Sequence, residues 1–166
     1  QKDNLDYKGF IFFGLMKVGD EPFVIEYNCR MGDPETEVVL PRIKNDLVEL
    51  LKATAQEKLN TVQLQIDARF ATTIVAVSGG YPNEHTTGFE ISGLDDVEEE
   101  SMIFFAGAKK DGGKIVTNGG RVICGTAMAE ELTDALNKSR QLIESINFEG
   151  KYFRKDIGFE FSPLET

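Results

Sequence analysis

The chain opens on a run of apolar and aromatic positions. Residues 7–17 (Tyr-Lys-Gly-Phe-Ile-Phe-Phe-Gly-Leu-Met-Lys) read as a strand, 18–22 as a turn by their Gly, Asp and Pro, and 23–27 as the return strand. The pattern predicts a β-hairpin with most of its faces buried. A Gly- and Pro-marked loop crowded with charge follows at 28–36. Two helical stretches come next. The first, 38–43, is interrupted by Pro41; the second starts from Asn45 as N-cap, and Leu47, Leu50, Leu51, Ala55 and Leu59 share one of its faces.

Residues 60–67 read as a connection, and the internal boundary falls there. Beyond it the pattern changes to short strands at 70–77, 88–92, 102–108, 114–117 and 121–126. Turns at Gly79-Gly80-Tyr81-Pro82, Asp111-Gly112-Gly113 and Asn118-Gly119-Gly120 punctuate them. One amphipathic helix closes the set, with Leu132, Ala135, Leu136, Leu142, Ile143 and Ile146 at helical spacing. There is no internal repeat and no low-complexity tract. The expected class is α+β in two domains, 1–60 and 68–166, the second small and β-rich.

Composition narrows the function classes. At 166 residues, 41% apolar and 28% charged, the chain can bury a core. Lys plus Arg number 18 against 28 Asp plus Glu, a formal net charge of −10, which argues against a nucleic-acid or anionic-membrane surface. A small phosphorylated substrate remains compatible, because it needs only a few local cations and backbone N–H groups. No apolar run approaches the roughly 20 residues that span a bilayer. Cys29 and Cys124 match no zinc or redox spacing and read as buried thiols in a reducing, cytoplasmic setting. Without an initiating Met or a signal peptide, the chain reads as beginning inside a larger protein.

Candidate chemistry concentrates in Glu26-Tyr27-Asn28-Cys29-Arg30-Met31-Gly32-Asp33-Pro34-Glu35-Thr36-Glu37. Strand side chains alternate, so Glu26 and Asn28 emerge on one face, about 6.6 Å apart along the strand. A carboxylate and an amide oxygen are hard donors suited to Mg²⁺, which leaves its remaining positions to water and phosphates. Arg30 adds a planar cation able to grip a carboxylate or phosphate. Simpler roles exist for each group. A solvated strand edge accounts for Glu-x-Asn, Asp33 and Pro34 suit an N-cap and first helical position, and Arg30 can pair with Glu35 or Glu37.

This stretch resembles the Glu-aromatic-Asn-x-Arg-x-Gly-Asp-Pro-Glu-Thr signature of phosphoribosylamine–glycine ligases, a family of the ATP-grasp superfamily. The resemblance extends over Tyr7-Lys8-Gly9, Gly14-Leu15-Met16, Leu40-Pro41-Arg42, Asp46-Leu47, Gly79-Gly80-Tyr81-Pro82, Thr117-Asn118-Gly119-Gly120-Arg121-Val122 and Phe153-Arg154-Lys155-Asp156-Ile157-Gly158. It implies the C-terminal part of an ATP-grasp domain followed by a β-rich C-terminal domain. The upstream portion of the same protein would supply the phosphoribosylamine-binding domain and the nucleotide lid. The implied reaction joins glycine to 5-phosphoribosylamine with ATP, through glycyl phosphate, and this chain alone is expected to be inactive. By the same resemblance Glu26 and Asn28 hold Mg²⁺ or Mn²⁺ against ATP. Arg30 is the catalytic cation on an anionic substrate group, Asp33 and Glu35 contact hydroxyls or the amine, and Asn118 and Arg121 border the substrate.

Where family members often carry His-Ala-Gly-Thr, this chain has Phe105-Ala106-Gly107-Ala108, and no catalytic role is placed there. Lys109-Lys110-Asp111-Gly112-Gly113-Lys114 lacks the phosphate-loop pattern and reads as a hairpin turn. His85, the only histidine, reads as a surface residue, and the acidic run 95–100 as a solvated loop or helix start. Two other readings stay open. A different ATP-grasp ligase would share Glu26 and Asn28 but has no reason to carry residues 30–35. A non-enzymatic assembly module would show no dependence on a metal–nucleotide complex.

Overall fold

The computed structural model describes residues 6–95 and 97–161. It divides into two compact units, 1–67 and 68–166.

The first unit begins with an antiparallel hairpin, β1 (Phe12–Val18) and β2 (Glu21–Asn28), closed by the Gly19-Asp20 turn. Gly19 has φ +63°, the left-handed conformation that glycine adopts without penalty. Strand pairing runs from Phe12↔Asn28 to Val18↔Glu21, with a bulge between Gly14 and Leu15 that sets Gly14 opposite Glu26. The expected burial of this hairpin does not hold. Phe13, Leu15, Met16, Phe23, Val24, Ile25 and Tyr27 are all exposed, Tyr27 by 66%. Within this unit no described element covers either side of the hairpin with an apolar layer.

After a loop come a short helix α1 (Thr36–Val39), a 3-10 turn Leu40–Arg42 and helix α2 (Leu47–Ala55). The cap of α2 is Asp46, not Asn45: the Asp46 carboxylate accepts from the N–H groups of Val48 (2.8 Å) and Glu49 (3.1 Å). Asn45 is committed elsewhere. Its Nδ2 donates to the Gln63 carbonyl at 3.0 Å and its Oδ1 accepts from Gln65 N at 2.6 Å. Those bonds and the Ile43↔Ile66 bridge lay residues 60–67 back along 42–45. Leu59 belongs to a separate 3-10 turn, Leu59–Thr61, so it does not extend the α2 face.

The second unit is built on a three-stranded antiparallel sheet in the order β3 (Phe70–Val77), β7 (Arg121–Ala129), β4 (Ser101–Phe105). A smaller hairpin pairs β5 (Ala108–Asp111) with β6 (Lys114–Thr117). Its two-residue turn, Gly112-Gly113, has φ +55° and +85°, as a primed turn requires. The expected single strand 102–108 is therefore two, broken at Ala106-Gly107. The expected strand 88–92 makes only the isolated bridges Glu90↔Val116 and Ser92↔Asn147, and left-handed Gly88 and Gly93 flank it.

Every residue of β7 after Arg121 is buried, which explains its nearly continuous apolar sequence and its central place. Helix α3 (Leu132–Ser145) packs on the sheet, burying Ala135, Ser139, Leu142 and Ile143. Gly125 sits between Ile74 and Ile103 on the flanking strands. A Cβ there would lie 3.1 Å from Ile143 Cγ1, so the missing side chain lets the helix approach. Each fully buried isoleucine in this cluster stabilises the unit by about 1.5–3 kcal/mol. A polar contact fixes helix against strand as well: the Thr72 and Ser139 hydroxyls are 2.9 Å apart.

Candidate functional site

In the first unit, strand alternation brings Glu26 and Asn28 together. Asn28 Nδ2 donates to Glu26 Oε1 at 3.1 Å, which leaves the second carboxylate oxygen and the amide oxygen directed away from that bond. Gly14 makes room for this pair, since a Cβ on it would stand 2.9 Å from Glu26 Cγ. Tyr27, between the two, packs edge-on against Phe13 on the other side of the hairpin, with ring centroids 5.3 Å apart.

The chain then turns through exposed Cys29 and Arg30. Cys29 is thus not the buried thiol expected from the sequence, whereas Cys124 is buried in β7. Arg30 Nη1 donates to the Met31 carbonyl at 2.9 Å, which holds the guanidinium close to the loop. Gly32 is buried and carries the loop past Glu35: a Cβ on it would meet Glu35 Oε2 at 2.5 Å and Phe12 Cε2 at 3.0 Å. Any larger residue here would push the Glu35 carboxylate aside. The Thr36 hydroxyl donates to the Gly32 carbonyl at 2.5 Å, and the Thr36 N–H reaches the same oxygen at 3.1 Å. Asp33 does not serve as the N-cap of α1, because that position belongs to Glu35 and no side chain caps it. Asp33 and Glu35 are both exposed.

The same unit carries an ion pair between Lys8 and Glu57 at 2.8 Å. Its hydrogen bond, aided by the opposite charge, holds the Glu57 carboxyl below the ordinary range and lifts the Lys8 ammonium above its own.

Asn118 and Arg121 lie in the second unit, on an exposed turn whose backbone is tightly held. Ser78 Oγ donates to the Gly119 carbonyl, Ser78 N to Gly120 O and Asn118 N to Gly107 O, at 2.8, 2.8 and 2.7 Å. The Tyr81 ring lies against Gly120, 2.1 Å from where a Cβ would stand. Gly107, in the Phe105-Ala106-Gly107-Ala108 segment, packs directly on Gly119. Tyr81 belongs to the expected turn 79–82 and Ser78 carries no motif; their hold on residues 118–121 is a long-range contact with no local signal.

The remaining expectations resolve simply. Lys109 to Lys114 form the β5–β6 hairpin rather than a phosphate cradle. His85 is exposed, with Nδ1 2.9 Å from the Asn83 carbonyl. Asp95 and residues 97–100 are exposed loop, and Asp96 lies outside the described residues. Among the described residues no three His, Cys, Asp or Glu side chains gather as a metal cluster, and no helix is long and apolar enough to cross a membrane.

A hairpin that ends in a carboxylate–amide pair, followed by a Gly-Asp-Pro-Glu loop and a separate β-rich unit, is what the resemblance to the C-terminal part of an ATP-grasp protein implies. Comparison with known proteins agrees. Residues 1–36 match the family described as phosphoribosylglycinamide synthetase, ATP-grasp (A) domain, and residues 71–160 match phosphoribosylglycinamide synthetase, C domain. The chain belongs to the phosphoribosylglycinamide synthetase family. It is 44% identical to a phosphoribosylamine–glycine ligase of Clostridium acetobutylicum over 95% of its own length and 38% of that protein. With the trifunctional purine biosynthetic protein adenosine-3 of Gallus gallus it shares 42% identity over 96% of its length and 16% of the relative. The crystal structure of phosphoribosylamine–glycine ligase from Thermotoga maritima superposes with a TM-score of 0.75 at 36% identity, covering 93% of this chain and 38% of that one. The chain thus spans less than two-fifths of the length of these relatives.

Proposed function

We propose that this chain carries the metal-binding strand end and the C-terminal domain of an enzyme that ligates glycine to 5-phosphoribosylamine. The products would be glycinamide ribonucleotide, ADP and phosphate, with glycyl phosphate as the intermediate. The observation that carries this reading is the Glu26–Asn28 pair, side by side at 3.1 Å at the end of β2. Its free oxygens are the hard donors that Mg²⁺ or Mn²⁺ takes, and a two-ligand protein site is what such an ion uses when nucleotide phosphates complete its shell. When bound, the ion would neutralise charge on the transferring phosphoryl group.

The protein groups have distinct tasks in this scheme. Glu26 and Asn28 orient the metal–ATP complex. Arg30, exposed beside them, is assigned to an anionic substrate group and to stabilising charge in the transition state. Asp33 and Glu35 are assigned to substrate hydroxyls or the amine, and Asn118 and Arg121 are assigned to substrate contact. The upstream portion of the same protein, in the reducing setting of the cytoplasm, would complete the site, so the isolated chain is expected not to turn over. Domain limits at 1–60 and 68–166 belong to the same reading.

The test is to restore the upstream portion and follow ADP release while omitting glycine or phosphoribosylamine in turn. Release that needs both, and that fails in Glu26→Gln, supports the ligase and the role of Glu26. Release with a different carboxylate or amine overturns the substrate assignment, and robust turnover by the 166-residue chain alone overturns its being a part. No nucleotide dependence at all would leave the assembly-module reading.

A further inference from the structure

We propose that Tyr7 is a positioning residue for the Glu26–Asn28 pair, acting as a staple across the open end of the hairpin. The inference rests on the reading of that pair as the metal site. Asn28 is the last residue of β2 and pairs with Phe12, the first of β1. The far end of the hairpin is closed covalently by its turn, whereas Asn28 sits where a two-stranded ladder frays. The Tyr7 hydroxyl bridges that end. It lies 2.8 Å from the Phe10 carbonyl and 2.9 Å from the Cys29 carbonyl, so one O–H is shared between the chain entering β1 and the chain leaving β2.

Cys29 stands between Asn28 and Arg30, and holding its carbonyl fixes the backbone from which both side chains project. The staple is itself anchored. Tyr7 folds back over Gly9, where a Cβ would stand 2.8 Å from the Tyr7 hydroxyl. The adjacent Lys8 pairs with Glu57, in the turn after α2. Nothing in the proposed chemistry calls on a phenol here; the hydroxyl acts on aim alone.

The experiment uses the chain rejoined to its upstream portion, as wild type, Tyr7→Phe and Glu26→Gln. Mn²⁺ bound in the presence of ATP is measured by equilibrium dialysis, and kcat, glycine KM and the urea midpoint are recorded for each. Tyr7→Phe is expected to weaken Mn²⁺ binding roughly five- to tenfold, the equivalent of one lost hydrogen bond. kcat should fall in step, with glycine KM and the urea midpoint unchanged. If Glu26→Gln loses Mn²⁺ while Tyr7→Phe keeps it, the staple is refuted and the metal site stands. A parallel drop in the urea midpoint and in Mn²⁺ affinity makes Tyr7 merely structural and also refutes the proposal. If Glu26→Gln binds Mn²⁺ as the wild type does, the metal reading fails and takes the staple with it.

Discussion

Replacing Gly14 by Ala should separate function from stability. The added methyl would stand 2.9 Å from Glu26 Cγ. Carbon–carbon contact is optimal at about 3.5–4.0 Å, so the side chain must yield by about 0.6–1.1 Å. The backbone N and O of Glu26 are 3.7 Å away, so the strands themselves need not part. Glu26 is exposed and can rotate out; holding it off a staggered rotamer would cost about 0.5–1.5 kcal/mol. Its hydrogen bond from Asn28 is worth a similar about 0.5–1.5 kcal/mol, and losing a flexible glycine returns about 0.4–1 kcal/mol through the unfolded chain. Glu26 incurs either the rotamer strain or the lost hydrogen bond, not both, so the net change in stability is within about 1 kcal/mol. Function has no such slack, because productive site geometry tolerates displacements of only about 0.5 Å. ATP-dependent Mn²⁺ affinity of the reassembled protein should fall about 10–100-fold, the range seen when a group that aims a metal ligand is disturbed. Urea denaturation and Mn²⁺ dialysis on the same samples decide the matter. Wild-type Mn²⁺ binding, or a stability loss well beyond that bound, would refute the reasoning.

Other outcomes follow from the packing and the ion pairs. Ile143→Ala removes a fully buried side chain of α3 that packs on Gly125 of the central strand and should cost about 2–5 kcal/mol in urea titration by circular dichroism. Asp46→Ala, which strips two N–H acceptors from the start of α2, should cost about 0.5–2 kcal/mol by the same measurement. The Arg154 guanidinium holds the Asp156 carboxyl below its ordinary value, chiefly through their hydrogen bond. A depressed carboxylate adds stability above its unfolded pKa and loses it as pH falls through the folded one, so Arg154→Gln should lower stability slightly at neutral pH, leave the most acidic region unchanged and flatten the acid limb between them.

Much of this was legible from the chain itself. Period-two alternation was enough to put Glu26 and Asn28 on one face, and 121–126 was legible as a strand, though neither its central place nor its reach to Ala129 was. The α3 stripe was read correctly because its partner is a sheet in the same unit. Misreadings arose where distant contacts decide. Asn45 and Asp46 are adjacent and equally good caps, and the choice is made by Gln63 and Gln65, 18 and 20 residues from Asn45. An apolar strand announces that it can be covered, not what covers it, so the exposure of β1 and β2 was invisible. Tyr7 gave no local sign either, since its acceptors include a carbonyl 22 residues away.

The glycine turns of the second unit carry a consequence for how this protein tolerates change. A methyl on Gly107 would meet the Arg121 carbonyl at 2.5 Å and Gly119 Cα at 2.8 Å, and one on Gly79 would meet the Gly150 carbonyl at 2.9 Å. Main chain rests there on main chain, with no rotamer free to step aside. A saturation library scored for folding would therefore invert the familiar map: these solvent-side turns would be nearly invariant, while a shielded site such as Val116 or Met128 would accept other apolar residues of similar volume. Drift within the domain should accumulate around these crossings and leave the crossings themselves untouched.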